Sequence, residues 1–424
     1  MVRMAWLPLF IVVVAAAAAC SGEQRQPATP TPPSAPADTP AAGGSPAVPA
    51  PTPTAAPAAR RLVAAWHVAI ELREGQGYNV YEVGTFDSAG RLLHSFRVGG
   101  ELGYLHASDI VLAGEEVLVR GRSEVAAFAL DGSGRRTVAS WDDRLVPTKI
   151  AVSPDGRMVA FGLEGEVVDP PIPPGFRRKL GGLRVVEVAT GRSVAEWDVS
   201  DFAGMMDGWP APVAWHADGR GVAVVGRVYH DGHGGAVGAR LDGLLIPYGR
   251  AVWPIDRAGR LAAAAGSRWL ISCAGYGTGF WVATEILALR DLTTGAVVGT
   301  IRAPGRAAAV VRFSPDGRSA LVVTAPITRS DSFDGVCYDV DGETWHVFDI
   351  ATGALTPVSD PDAVGRGWDG PGWPTYACPG GQRLHRYGGP TDMTFCHDPA
   401  PVEWEGHTLF TTTWYRVLGF LEAK

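Results

Sequence analysis

Phe313-Ser314-Pro315-Asp316-Gly317-Arg318 is the stretch whose reading decides the fold. Pro315 fixes φ for the second position of a type I turn, Ser314 and Asp316 can bond nearby backbone groups, and Gly317 closes it. The stretch predicts a hairpin corner. Similar corners stand at Ser153-Pro154-Asp155-Gly156-Arg157 and His216-Ala217-Asp218-Gly219-Arg220, with a more degraded one from Asp256 to Arg260. A second kind of corner follows at Thr190-Gly191, Thr294-Gly295 and Thr352-Gly353. Gly156 precedes Gly191 by 35 positions, while Gly259 precedes Gly295 and Gly317 precedes Gly353 by 36 each. Two kinds of turn that keep step predict one four-stranded unit repeated along the chain.

Outward from these corners, everything after Arg61 is short runs of Val, Ala, Leu and aromatics separated by Gly, Asp and Ser-Pro. No stretch holds a 3.6-residue apolar period, so the expected class is all-β. Units are expected over Leu62–Val98, Ala107–Trp141, Thr148–Val199, Pro212–Tyr248, Ala251–Arg302 and Ala307–Val358. From about Trp368 the chain reads as irregular until Val402, with strands at His407–Trp414 and Arg416–Leu421. Units of roughly 40 to 55 residues give about seven blades, with six or eight left open, and a ring leaves few sheet edges exposed. The first unit lacks an early corner, so carboxyl-terminal strands are expected to complete it and close a β-propeller. A pair of sandwiches or an open β-solenoid is the competing layout.

The corners at Ser153–Arg157 and Ser314–Arg318, with Asp291–Gly295 and Asp349–Gly353, resemble the repeats of TolB-like and dipeptidyl-peptidase-type β-propellers. The likeness covers most of the chain after residue 61, but only two corners are complete. It is weaker toward true WD40 repeats, because Trp141-Asp142 and Trp197-Asp198 fall after the last strand of a unit. The peptidases of that group add a hydrolase domain with a G-x-S-x-G nucleophile elbow. Gly121-Arg122-Ser123, Gly191-Arg192-Ser193 and Gly317-Arg318-Ser319 all lack its second glycine, which speaks against a serine peptidase.

The amino terminus reads as an export signal: Arg3, then an apolar run from Trp6 to Ala19. Ala17-Ala18-Ala19-Cys20-Ser21-Gly22 resembles the lipobox of bacterial lipoproteins, with alanine where leucine is commonest. That resemblance implies a signal over residues 1–19, acylation of Cys20 and membrane anchoring on the extracytoplasmic side, at the cell surface or in the periplasm. An ordinary cleaved signal is the alternative. Residues 20–59 are dominated by Pro, Ala, Thr, Ser and Gly, and predict a disordered stalk ahead of a propeller domain over 60–424. At ~3.1 Å per residue the stalk could reach on the order of 100 Å.

With 37 Lys and Arg against 44 Asp and Glu, the formal charge is −7, and no basic stripe suggests nucleic acid. Long connections between second and third strands, at Gly162–Gly182, Arg227–Gly238, Ser272–Trp281 and Ala325–Trp345, mark one side as the expected functional surface. Cys273, Cys337, Cys378 and Cys396 are even in number in an exported chain and favour disulfides. Cys273 with Cys337 and Cys378 with Cys396 is the preferred of three pairings. No cofactor is expected, although two loops carry candidate divalent-cation ligands: His230, Asp231 and His233, and Asp331, Asp334, Asp339 and Asp341 with Glu343. For each loop a solvated polar segment is the plainer reading. Trp209, Trp368, Trp373 and Tyr376 could stack on a sugar or clasp a peptide, or fill gaps between blades.

The expected function is a monomeric binding or scaffold module for a protein, peptide or cell-wall glycan. The alternative is a metal-assisted propeller enzyme, acting as hydrolase, lyase or quinone-type oxidoreductase. A third reading is an assembly factor that pairs its outer strands with clients.

Overall fold

The computed structural model describes residues 60–73, 76–103, 105, 109–142, 145–167, 178–198, 211–225, 235–256, 259–267, 269–270, 283–328, 337–369, 374–376, 385–387 and 393–422. The signal, Cys20 and the stalk lie outside them. From Pro57 to Lys424 the chain is one compact unit.

The strands pair antiparallel in chain order. The first sheet holds β1 (Arg60–Arg73), β2 (Gln76–Phe86) and β3 (Leu92–Val98). The second is β4 (Ile110–Ala113), β5 (Glu116–Arg120), β6 (Glu124–Ala129) and β7 (Arg136–Ser140). The third is β8 (Val146–Val152), β9 (Met158–Val167), β10 (Arg178–Glu187) and β11 (Ser193–Asp198). The fourth has β12 (Ala211–Trp215), β13 (Gly221–Val225), β14 (Gly235–Arg240) and the first half of β15 (Leu245–Ile255).

From Ala251 onward β15 changes partner and opens the fifth sheet, with β16 (Leu261–Ala265) beside it. Its last two strands are β19 (Ile286–Asp291) and β20 (Val297–Arg302), while the short β17 (Trp269–Leu270) and β18 (Ala283–Thr284), earlier in the chain, pair with each other and join the sixth sheet, Thr284 opposite Ala308. The sixth is β21 (Arg306–Phe313), β22 (Ser319–Thr328), β24 (Thr344–Asp349) and β25 (Leu355–Val358), with β23 (Cys337–Tyr338) on an extension of β22.

The tail differs from the irregular segment expected from its Gly and Pro content. A helix, α1 (Pro361–Asp369), precedes β26 (Thr375–Tyr376), β27 (His385–Tyr387), β28 (Met393–Trp404) and β29 (His407–Glu422). Asp360 caps α1 by accepting from the Ala363 N–H at 2.8 Å. The two expected terminal strands are one continuous strand. Its first half pairs β28, and its second half pairs β1, from Trp66 opposite Tyr415 to Arg60 opposite Glu422. The carboxyl end therefore supplies the strand missing from the first unit.

The corners form as their chemistry requires. Ser314 Oγ donates to Asp316 at 2.6 Å and accepts from the Ser319 N–H at 2.9 Å, while Gly317 takes φ 69°. Ser153, Asp155 and Met158 repeat this geometry. In the second corner Asp291 accepts from both the Thr294 N–H and its hydroxyl at 2.8 Å. The two corners of one sheet are tied by backbone: Val188 N–H to Arg157 O, Leu292 N–H to Arg260 O, and Ile350 N–H to Arg318 O, at 2.8, 2.8 and 2.9 Å. Both kinds of corner thus sit at the same end of the third, fifth and sixth sheets.

Alternation of side chains gives the sheets apolar faces, through which neighbouring sheets pack. Val63, Tyr81 and Val83 meet Ile110, Val117 and Phe128 between the first and second. Leu118, Val125 and Val138 meet Val159 and Phe161 between the second and third. Leu183 and Val185 meet Trp215 and Val222 between the third and fourth, where Trp215 Nε1 donates to Ala151 O at 2.9 Å. Leu287 and Leu289 meet Val310, Val322 and Phe348 between the fifth and sixth. The other face of the first sheet, with Leu62, Trp66 and Phe86, is covered by Val402, Trp404 and Phe410 of the tail. At about 1.5–3 kcal/mol for each large side chain fully buried, these interfaces hold the sheets in sequence. Stacked meanders of this kind define the chain as an all-β protein of the β-propeller class.

Candidate functional site

Because first-to-second and third-to-fourth turns share one end of each sheet, the second-to-third connections must emerge at the other. Neighbouring corners touch, with Arg260 Nη2 donating to Pro315 O at 3.2 Å and the Ala217 N–H to Gly259 O at 3.1 Å. That side is closed by tight turns. The opposite side carries extended hairpins: β9 and β10 remain paired out to Val167 and Arg178, and β1 and β2 out to Arg73 and Gln76. The β1–β2 projection, whose connection is short in sequence, leaves Ile70 and Leu72 exposed at 61% and 79%.

Beneath these projections lies a charged group that sequence reasoning missed. Asp109, just before β4, is buried and takes a two-point contact from Arg120, at 2.9 Å from Nε and 2.6 Å from Nη2. Arg120 also donates to Pro147 O at 2.8 Å, and the buried Arg416 donates to Ile110 O at 2.6 Å. Lys149 of β8 is the third cation facing Asp109. Its side chain keeps solvent contact. Desolvation lowers its ammonium pKa; Asp109 opposes that shift, while Arg416 and Arg120 add to it. The carriers are β5, β8, β29 and the residue before β4, with β4 lying against both β29 and β8. The available signal was a lone cation in an otherwise apolar strand, as at Lys149 in Thr148–Val152 and Arg416 in Trp414–Leu418. Nearby, His67 stacks edge-on to Tyr81 at 5.7 Å, and burial lowers its pKa.

Cys20, Trp209, His230, Asp231, His233, Cys273, Asp331, Asp334, Trp373 and Cys378 lie outside the described residues. Tyr376 is in β26 and Cys396 in β28. Trp368 is half-buried on α1 rather than in an irregular segment. Asp339 has a local structural role: its carboxylate accepts from the Asp341 N–H at 3.0 Å, capping the 3-10 turn Val340–Gly342. Among the described residues, no three His, Cys, Asp or Glu side chains gather as a cation site. Cys337 is buried in β23 and disulfide-bonded, to a cysteine whose side chain is not among those described. Trp141 is structural, donating from Nε1 to Arg122 O at 2.9 Å and packing on Phe161.

No family model matches the sequence. No curated protein matches it either. Among solved structures, the chain is similar to dipeptidyl peptidase 4 of Porphyromonas gingivalis, at 12% identity and a TM-score of 0.41 over 82% of this chain and 50% of that one. It spans about half the length of that peptidase. It is also similar to an oligogalacturonate lyase in complex with manganese, at 12% identity and TM-score 0.35 over 80% and 85% of the two chains. The Neurospora crassa Pan2 WD40 domain shares 10% identity and TM-score 0.39 over 84% and 90%.

Proposed function

We propose that this chain is a lipid-anchored propeller, held outside the cytoplasmic membrane by acylated Cys20 and the stalk, that binds a protein or peptide partner on its long-connection side. In this reading the repeats are TolB-like, and seven radial sheets close through the β29–β1 pairing, the seventh being the partial sheet of β26, β28 and the start of β29. The observation that carries it is the asymmetry of the sheets. Tight corners pack against one another on one side, while hairpins projecting beyond the sheets, with Ile70 and Leu72 exposed toward the end of β1, stand on the other. The charged group of Asp109, Arg120, Lys149 and Arg416 gives that side a polar floor. Cys273 is the proposed partner of Cys337, joining the connections of two adjacent sheets.

The test is cross-linked capture from native membranes with the 60–424 domain, comparing wild type with a variant whose β9–β10 extension is shortened to a tight hairpin. Loss of the captured protein supports the reading. Capture unchanged in that variant and in Ile70→Ser/Leu72→Ser rejects it, and capture of glycan without protein replaces the partner class. Cys20→Ser should abolish incorporation of a labelled fatty acid and release the chain from membranes.

A further inference from the structure

A pocket of about 320 Å³ opens where the connection between β20 and β21 passes the sixth sheet. Arg302, Arg306, Thr324, Thr344 and His346 line it, with Leu355 as an apolar wall. Arg306 is fixed in place by neutral acceptors: Nε donates to Thr324 Oγ1 at 3.0 Å, and Nη2 faces Thr324 O, Gly342 O and Thr344 Oγ1 at 3.1, 2.8 and 3.0 Å. None of these carries a charge. No carboxylate among the described residues pairs with Arg306 or with Arg302, and Arg302 is exposed. Arg120, Arg136 and Arg240 by contrast sit on carboxylates, those of Asp109, of Glu116, and of Asp218 and Asp242. His346 adds a buried Nδ1 without a hydrogen-bond partner. The pocket therefore concentrates two guanidinium groups and an imidazole in a chain whose formal charge is −7.

We propose that this pocket binds a small molecule through a carboxylate or phosphate group, held between Arg302 and the Nη1 edge of Arg306. Guanidinium matches the planar spacing of two anionic oxygens, and donors already fixed by the protein lose little freedom on binding. Thr324 and Thr344, 2.9 Å apart through their hydroxyls, set the orientation of Arg306. The volume lies at the lower end of small-molecule sites, which suits an organic acid or a single acidic sugar rather than a polymer. Burial, then the charge of Arg306, lowers the pKa of His346, with a hydrogen bond to the Thr344 backbone opposing them. The inference does not depend on which macromolecule the long-connection side engages.

Isothermal titration of the 60–424 domain with sodium phosphate, sodium glucuronate and neutral glucose, at ionic strength matched with chloride, tests it. Saturable one-to-one binding of phosphate or glucuronate, and none of glucose, is expected; which anion binds identifies the preferred group. Arg302→Gln should weaken that binding roughly tenfold or more, the loss of a charged hydrogen bond, without moving the unfolding midpoint. Arg306→Gln should abolish it, but that variant can also disturb the fold, so the exposed Arg302 carries the decision. Absence of saturable binding to either anion, or binding that Arg302→Gln leaves unchanged, overturns the proposal.

Discussion

The hydroxyl of Tyr248 stands between His216 Nε2, at 2.8 Å, and the carbonyl oxygen of Leu292, tying the fourth sheet to the fifth. A phenol has one proton, and Leu292 O can only accept, so Tyr248 donates there and His216 must donate from Nε2. The imidazole is therefore the neutral Nε2–H tautomer. Its Nδ1 is buried with no partner, and burial pushes the pKa down to about 4. His216 occupies the corner position that Ser153 and Ser314 fill elsewhere, and Gly238 makes room, since a Cβ there would lie 2.2 Å from Tyr248 Oη.

This arrangement predicts an acid-sensitive fold. In the unfolded chain the imidazole takes a proton near 6.5; in the fold it does so only near 4. The contribution is fully present above the unfolded value and is lost as pH falls from there through the folded one. Urea unfolding should show about 2 kcal/mol less stability at pH 5 than at pH 7.5 from this group. Aspartates of the corners, including Asp155 and Asp316, have lowered pKa values and act below the ordinary carboxylate range, outside this window. In His216→Gln the slope between those pH values should flatten. An unchanged slope would mean the imidazole is not the group responsible.

Two glycines with the same backbone should respond differently to alanine. Gly156 and Gly353 take φ 71° and 73°. A Cβ on Gly353 meets nothing within 4 Å, so Gly353→Ala should cost only the left-handed strain of about 1 kcal/mol. A Cβ on Gly156 lands 2.7 Å from the backbone nitrogen of Gly114 in the neighbouring sheet, so Gly156→Ala should cost about 3 kcal/mol or more. Equal losses in denaturant unfolding would show that the corners do not pack on one another.

Those corners also explain how far the sequence could be read. Ser, Pro, Asp and Gly act on their own backbone, so Ser314–Arg318 announces its turn without help from the rest of the chain, and the six unit boundaries fall within a few residues of the observed sheets. The constant spacing of the corners is only partly a property of the repeat. What joins the two corners is the backbone bond between them, and from Gly219 to Gly243 in the fourth sheet the interval is only 24 positions. The intervals of 35 and 36 reflect similar insertions in three units. The tail was hidden because α1 is short and polar, and because β29 pairs with both β28 and β1, which no local pattern records. The group around Asp109 was hidden for a related reason: residues 109, 120, 149 and 416 meet only through strand order.

Asp109 should be the most sensitive member of that group. It is buried, and Arg120 holds it at two points. Asp109→Asn leaves Arg120 without its counter-charge and should cost about 3 kcal/mol or more, whereas Asp109→Asn combined with Arg120→Met should recover part of that loss. Additive losses in a double-mutant cycle would argue that the pair is not coupled. Lys149→Met, at a position with solvent contact, should leave stability within about 1 kcal/mol of wild type.

Joining of the ends can be tested by removing one of them. From Tyr415 onward β29 pairs with β1, and Val417 and Phe420 pack with Leu62, Trp66 and Trp404. A chain ending at Trp414 would expose one edge of β1 and uncover this apolar cluster, leaving an unpaired strand prone to association. Such a chain should lose cooperative unfolding and aggregate, while removal of residues 423–424 alone should change nothing. A separate peptide spanning residues 407–422 carries the missing strand with its pairing pattern intact, so adding it should restore a cooperative transition at a midpoint that rises with peptide concentration. If the shortened chain unfolds cooperatively at the wild-type midpoint without the peptide, the pairing of Arg60–Trp66 with the carboxyl-terminal strand is not what secures the first sheet.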